Sequence, residues 1–139
     1  MKDIPQKGKI QSRLMNIIHI IAGTSLLYLV QLMLPIRLKA KNDFALRAAR
    51  AVKNLGESLP IFFALAVLSV FFEIEQNTWL ALYWLISRVL FVMIYVSGIG
   101  IREKLKNGEK QQSQMIRSFV WALSIVFLVK MMINLIIAV

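Results

Sequence analysis

The chain alternates between long apolar stretches and short polar connections. Four stretches are predominantly apolar, at 14–34, 55–74, 78–100 and 115–138. A helix needs roughly 20 apolar residues to cross the hydrocarbon core of a bilayer, which is about 30 Å thick. Only helices and closed barrels satisfy their own backbone hydrogen bonds in lipid. The pattern therefore predicts an all-α integral membrane protein, with four spans in a single domain of residues 1–139.

Prolines, glycines and alanines predict where these helices begin, end and bend. Pro35 restricts the residue before it, so the first span is expected to end there. An alanine-rich run at 45–51 favours helix, and the second helix is therefore predicted to begin near residue 44, ahead of the membrane. Pro60 leaves the carbonyl of Gly56 without its helical partner, which predicts a kink or a hydrated pocket there. Gly56 also permits a close approach of another helix.

The net charge of +10 is distributed in a way that predicts topology. The connections after the first and third spans hold most of the basic residues, whereas the connection between the second and third spans has Glu73 and Glu75 and no cation. The positive-inside rule places both basic connections in the cytoplasm, and in a bacterium the membrane would be the inner one. The basic N-terminus opposes this orientation but is outnumbered. Because the charge is explained by topology, a nucleic-acid partner is not expected.

The chain has no cysteine, so disulfides, thiolate metal sites and a cysteine nucleophile are excluded. His19 has no carboxylate or second histidine at the spacing of metal ligands, and we interpret it as a residue that hydrogen-bonds between helices. Lys130 lies close enough to the end of its span for its ammonium to reach the interface. No metal site is predicted, and any thiol chemistry requires a ligand that brings the thiol.

Three polar residues follow one helical face at the entrance to the second span. Arg50, Asn54 and Glu57 are spaced i, i+4 and i+7. Charged groups at this depth are costly unless they are paired or hydrated, so they mark a candidate functional site. Arg88 lies in the middle of the third span. We expect it to form a buried pair with Glu57 that orients the site, and direct contact with a ligand is compatible with that pairing.

Further residues converge on the same membrane face. Tyr95 follows Arg88 by two helical turns, and the cations Arg37, Arg50, Arg102 and Arg117 lie at the ends of the spans. Guanidinium groups offer planar donors that suit carboxylates, so the cleft is expected to bind a small anion. Nearby cations would also favour the thiolate form of a bound thiol.

These residues form motifs whose order and spacing resemble the MAPEG family, the membrane-associated proteins of eicosanoid and glutathione metabolism. The first motif is Arg50-Ala51 with Asn54 and Glu57, followed by Pro60 and Phe62. The second is Arg88 with Tyr95, and the third is Arg117-Ser118 with Trp121. The segment 31–35, with the later Arg37, is similar to the end of the family's first helix. The resemblance covers most of the chain.

The resemblance implies a four-helix bundle that assembles as a homotrimer, with glutathione bound between subunits near the cytoplasmic face. It also implies that a thiolate attacks a lipophilic electrophile or a hydroperoxide delivered from the bilayer, stabilised by Arg117 and assisted by Ser118 or Tyr95. The implied contacts of glutathione, or the supports of those contacts, are Arg37, Arg50, Asn54, Glu57, Arg88 and Tyr95.

One segment departs from the family pattern. A polar insert at 102–114, with a turn predicted at Asn107-Gly108, separates Tyr95 from Arg117 where the family usually has a tight turn. The insert is expected to lengthen the third and fourth helices beyond the membrane. Arg102 is the alternative to Arg117 as thiolate stabiliser, although Ser118 and Trp121 favour Arg117. A non-catalytic trimer that binds an anionic lipid or another small anion in the same cleft remains the alternative function.

Overall fold

The computed structural model contains four long helices and a small hairpin, and it describes residues 4–37, 43–97, 101–103, 110–112 and 114–139. All four helices are long and apolar enough to cross a membrane. This confirms the prediction of an all-α, multi-pass integral membrane protein. The helices and strands are α1 (Ile4–Arg37), α2 (Asp43–Phe71), α3 (Gln76–Ser97), β1 (Ile101–Glu103), β2 (Lys110–Gln112) and α4 (Gln114–Ala138).

The four helices form an antiparallel bundle in which α2 and α3 each contact every other helix. One end of the bundle, which we call the hairpin end, holds the end of α1, the start of α2, the end of α3 and the start of α4. The opposite end, the turn end, holds the tight connection from α2 to α3. There Glu73 has a φ of 54°, and the backbone N–H of Ile74 donates to the carbonyl of Ser69 at 2.9 Å. This left-handed residue closes α2 in the manner of a helix C-cap.

Two boundaries differ from the sequence-based expectations. Pro35 does not end α1, which continues to Arg37 with the proline inside its last turn. A proline this close to a helix end removes only one backbone bond, so the helix can finish around it. Ser97 ends α3, and the expected lengthening of α3 into the insert is wrong. Gly98, Gly100 and the predicted Asn107-Gly108 turn lie outside the described residues.

The polar insert instead contains a two-stranded antiparallel ladder. Ile101 pairs with Gln112, Arg102 with Gln111 and Glu103 with Lys110. The ladder brings the two ends of the insert side by side. The chain therefore returns close to the end of α3 before α4 begins. Longer helices in place of the ladder would instead have left the two ends of the insert less directly paired with one another.

The apolar core is divided into two clusters. The larger extends from the turn end to Leu55 and contains Phe62 and Trp84, whose rings stack at 4.0 Å with an interplanar angle of 8°. The smaller lies at the hairpin end and consists of Ala48, Ala51, Phe91, Tyr95 and Val96. Polar side chains lie between the clusters along the helices. We call them the polar layer: Gln31 on α1, Asn54 and Ser58 on α2, and Ser87 and Arg88 on α3.

Candidate functional site

Arg88 is the centre of the polar layer. Its side chain is 1% exposed, and its guanidinium donates from Nη1 to Asn54 Oδ1 and from Nη2 to Ser58 Oγ, both at 2.9 Å. Asn54 and Ser58 are four residues apart on α2, so one guanidinium reaches both. Ser58 in turn donates to the carbonyl of Leu55 at 2.9 Å. This chain of hydrogen bonds holds Arg88 in one orientation between α2 and α3.

The expected buried pair between Glu57 and Arg88 is wrong. Glu57 is exposed, and the hydrogen bonds of Arg88 in the described structure go to Asn54 and Ser58. The reason is helical phase, because Asn54 and Ser58 share a stripe from which Glu57 is rotated away. Arg88 is therefore a buried cation held by two neutral oxygens. Its guanidinium carbon also lies 5.4 Å from the centroid of the Trp84 ring, within the range of a cation–π interaction. A buried cation without a carboxylate partner among the described residues favours an anion nearby.

The polar layer also has unused hydrogen-bonding capacity. Gln31 is 2% exposed, yet neither its Oε1 nor its Nε2 has a partner among the described residues, and Arg88 Nε also has none. Buried polar atoms are nearly always paired with protein or water. From the sequence, Gln31 was expected only to belong to a motif at the end of the first span. Its signal was the presence of a glutamine in an otherwise apolar stretch, which is costly in lipid unless it has a role.

Tyr95 and Arg117 meet at the hairpin end. Tyr95 is 8% exposed and stacks on Phe91 with ring centroids 5.6 Å apart. The guanidinium carbon of Arg117 lies 5.2 Å from the centroid of the Tyr95 ring, within the range of a cation–π interaction. The first turn of α4 therefore contacts the last turns of α3 despite the insert between them. The backbone of Arg102 belongs to β1, and its side chain lies outside the described part of the structure.

Arg47 belongs to none of the sequence motifs, yet it contacts the end of α3. Its Nε donates to the carbonyl of Val96 at 3.4 Å, and its guanidinium lies 6.0 Å from the ring of Phe44. A cation at the C-terminal end of a helix is stabilised by the unpaired carbonyls there. Arg47 thus joins the start of α2 to the end of α3 beside Tyr95. Its only sequence signal was its position one helical turn before Arg50.

The chain was compared with known protein families, and the MAPEG family model matches residues 17–137. The chain belongs to the MAPEG family. This confirms the resemblance that the sequence motifs indicated, and MAPEG members are membrane four-helix bundles as observed. No curated protein and no solved structure gave a significant match. Membership in MAPEG indicates a glutathione-related transferase or a related membrane function.

The remaining predicted MAPEG site residues lie on the open surface of the hairpin end. Arg37 is the last residue of α1, and Arg37, Arg50 and Ser118 are all exposed. No described contact joins these three side chains to the Tyr95–Arg117 pair. The residues present suit glutathione, since the exposed guanidinium groups match its carboxylates and the Nε–H of Arg88 is an unused donor in the layer beneath.

Proposed function

We propose that this protein is a membrane-embedded transferase or peroxidase that uses glutathione against lipophilic electrophiles or hydroperoxides. The observation that carries the proposal is the contact of Arg117 with Tyr95 at 5.2 Å. It pairs a cation from α4 with a phenol from α3, although the insert separates them in sequence. A cation and a hydrogen-bond donor next to one another are what the stabilisation of a thiolate requires.

Each residue at the hairpin end has a distinct role in this proposal. Glutathione, when bound, supplies the nucleophilic thiol. Arg117 favours the ionised form of that thiol electrostatically, while the hydroxyl of Tyr95 or Ser118 donates a hydrogen bond to the sulfur. Because Phe91 stacks on Tyr95 and Arg117 lies over it, the phenol ring is held in one orientation. Such preorganisation lowers the cost of stabilising charge during reaction.

Binding of glutathione is assigned to the polar residues around this pair. Arg37 and Arg50 bind its carboxylates, and the exposed carboxylate of Glu57 suits its ammonium group. Asn54 and Arg88 form the floor of the cleft, where Asn54 is held by its hydrogen bond from Arg88. Asn54 thereby serves both as a ligand contact and as a support.

The proposed assembly is a homotrimer. Arg37 and Arg50 are exposed in one chain, so a neighbouring subunit is needed to close the cleft over a bound tripeptide. The hairpin end is proposed to face the cytoplasm, where glutathione is abundant and where the basic connections favour its placement. Lipophilic substrates would enter from the bilayer between subunits.

The test combines glutathione binding with detection of the thiolate by its ultraviolet absorbance, in purified protein whose oligomeric state is monitored. We expect Arg117→Ala to lower the bound thiolate at least about tenfold, or about 1.4 kcal/mol, while glutathione affinity changes much less. Arg50→Ala is expected to weaken affinity itself. Lys130→Ala is the matched control, because it removes a different cation of α4, an exposed one at the turn end.

The outcomes separate the proposal from a non-catalytic anion-binding protein. Binding of carboxylates or anionic lipid through Arg50, without thiolate formation or conjugation of a model electrophile, would establish that alternative. Loss of the thiolate in Arg102→Ala but not in Arg117→Ala would transfer the stabilising role to the insert.

A further inference from the structure

A pocket lies at the turn end between α1 and α3, at the opposite end of the bundle from Tyr95 and Arg117. Its volume is about 350 Å³, and it is lined by Asn16, His19, Ile20, Thr78, Trp79 and Leu82. This volume lies at the lower end of the range of small-molecule sites and far exceeds that of one water molecule. The pocket is therefore large enough for an organic ligand.

The polar groups of this pocket have donors and acceptors available for a bound ligand. Thr78 is 7% exposed, and its hydroxyl has no partner in the described structure. His19 Nδ1 lies 2.6 Å from the carbonyl of Met15. Because a carbonyl only accepts, Nδ1 must carry the hydrogen, and Nε2 of the neutral ring is left as an acceptor. Asn16 adds a carboxamide that both donates and accepts.

The position of the pocket indicates the depth of its ligand. Asn16 and His19 lie in the first turns of the membrane-spanning part of α1, which begins at Met15, and Thr78 and Trp79 lie in the first turn of α3. The ends of membrane spans lie near the level at which the hydrocarbon meets the headgroups, and tryptophan is enriched there. Ile20, Leu82 and the half-exposed ring of Trp79 form the apolar wall. Below the headgroups, exposed polar side chains need partners that hydrocarbon cannot provide.

We propose that this pocket binds a neutral single-chain amphiphile whose hydroxyl lies beside an ester carbonyl, the chemistry of a monoacylglycerol. The hydroxyl donates to His19 Nε2, and the carbonyl accepts from Thr78 or Asn16. The acyl chain continues along Ile20 and Leu82. None of the described lining residues has a permanent charge, so they offer no cation to a phosphate or carboxylate head. This site is independent of the proposed glutathione site.

The experiment uses Trp79 as the reporter, because it lines the pocket and is 57% exposed. A monoacylglycerol with a dibrominated acyl chain is titrated into the full-length protein in nanodiscs. The difference in fluorescence between the unaltered protein and Trp79→Phe isolates the signal of this tryptophan. We expect saturable quenching, with half-saturation raised about five- to tenfold in His19→Leu and in Thr78→Val, the scale of one hydrogen bond.

The controls make every outcome decisive. Ser25→Ala lies on α1 outside the pocket and removes only a bond to the carbonyl of Ile21, so it should leave half-saturation unchanged. His19→Leu alters an exposed side chain and keeps the test valid if Thr78→Val misfolds. Quenching with the same half-saturation in His19→Leu as in the unaltered protein would overturn the proposal. The same would follow if brominated phosphatidylcholine saturated with the same dependence on His19, or if a neighbouring subunit covered Trp79 and prevented quenching.

Discussion

Two buried clusters of polar residues join the helices, one in each half of the bundle. They differ in how completely their polar atoms are hydrogen-bonded. Toward the turn end, Asn77 donates from Nδ2 to Ser69 Oγ at 2.7 Å and to the carbonyl of Met131 at 3.1 Å, and its Oδ1 accepts from Asn134 at 2.8 Å. We call Ser69, Asn77 and Asn134 the asparagine cluster. It is neutral and joins α2, α3 and α4.

The polar layer near the hairpin end is neither neutral nor fully hydrogen-bonded. It contains the cation of Arg88, and three of its buried atoms have no partner among the described residues, namely Arg88 Nε and both amide atoms of Gln31. A fully paired buried network contributes rigidity, whereas a partly paired one carries an energetic cost. The asparagine cluster therefore has the properties of a structural network. The unpaired atoms and the charge of the polar layer instead support the proposal of a ligand site there.

The largest effect is expected from removing a partner of the buried cation. Asn54→Leu leaves Arg88 buried with one of its two side-chain partners, Ser58. We expect a loss of about 2–3 kcal/mol in the free energy of unfolding, since a hydrogen bond to a buried charged group contributes more than one between neutral groups. Reversible unfolding in mixed micelles measures it. Adding Arg88→Met to this variant should restore most of the loss, and a double variant no more stable than Asn54→Leu would contradict the role of the charge.

A smaller loss is expected from opening the asparagine cluster. Asn77→Leu removes three hydrogen bonds, and bonds inside membrane proteins average about 0.6 kcal/mol, so the loss should be about 2 kcal/mol. Ser69→Ala removes one partner of Asn77 and should cost less. Glutathione affinity, measured by titration calorimetry, should stay unchanged in both. A marked fall in affinity would show that the two regions are not separate in function.

Removing the unpaired amide of the polar layer is expected to raise the free energy of unfolding, in contrast to the two preceding changes. Gln31→Leu removes two buried atoms without partners, and we expect the free energy of unfolding to rise by about 1 kcal/mol. Thr24→Val is the matched control on α1, because the hydroxyl of Thr24 is equally buried but donates to the carbonyl of Ile20 at 2.8 Å. That change should not stabilise. A loss of stability in Gln31→Leu would mean that the amide is paired in the membrane.

The smallest effect is expected at Gly56, which adjoins the polar layer on α2. A Cβ there would lie 3.6 Å from Tyr28 Oη and 3.7 Å from Tyr28 Cε2, which are ordinary contacts. Gly56→Ala should therefore change the free energy of unfolding by less than about 1 kcal/mol, with helix propensity favouring alanine. Gly23→Ala, with Leu85 Cδ2 at 3.7 Å, should behave alike. If Gly56→Ala alone weakened glutathione binding, the polar layer would depend on a deformable α2.

The four spans and the family could be predicted from sequence because both depend on local patterns. A span is recognised by its length and hydropathy, and the motifs around Arg50, Arg88 and Arg117 by spacing along single helices. Even the approach of Arg117 to Tyr95 followed from topology, because α4 begins at the end of the bundle where α3 finishes. The roles of these residues toward a ligand remain predictions that the experiments above address.

The partners of Arg88, the burial of Gln31 and the shape of the insert required the tertiary structure. Asn54, Glu57 and Ser58 all lie within little more than one helical turn, and only the rotation of α2 against α3 decides which of them face the guanidinium. Gln31 is one of several polar residues on α1, and only the packing of the helices buries it. Sequence by itself thus determined which segments cross the membrane and which residues carry charge. Packing decided which polar groups are paired, because pairing depends on angles and distances between helices that no single segment encodes.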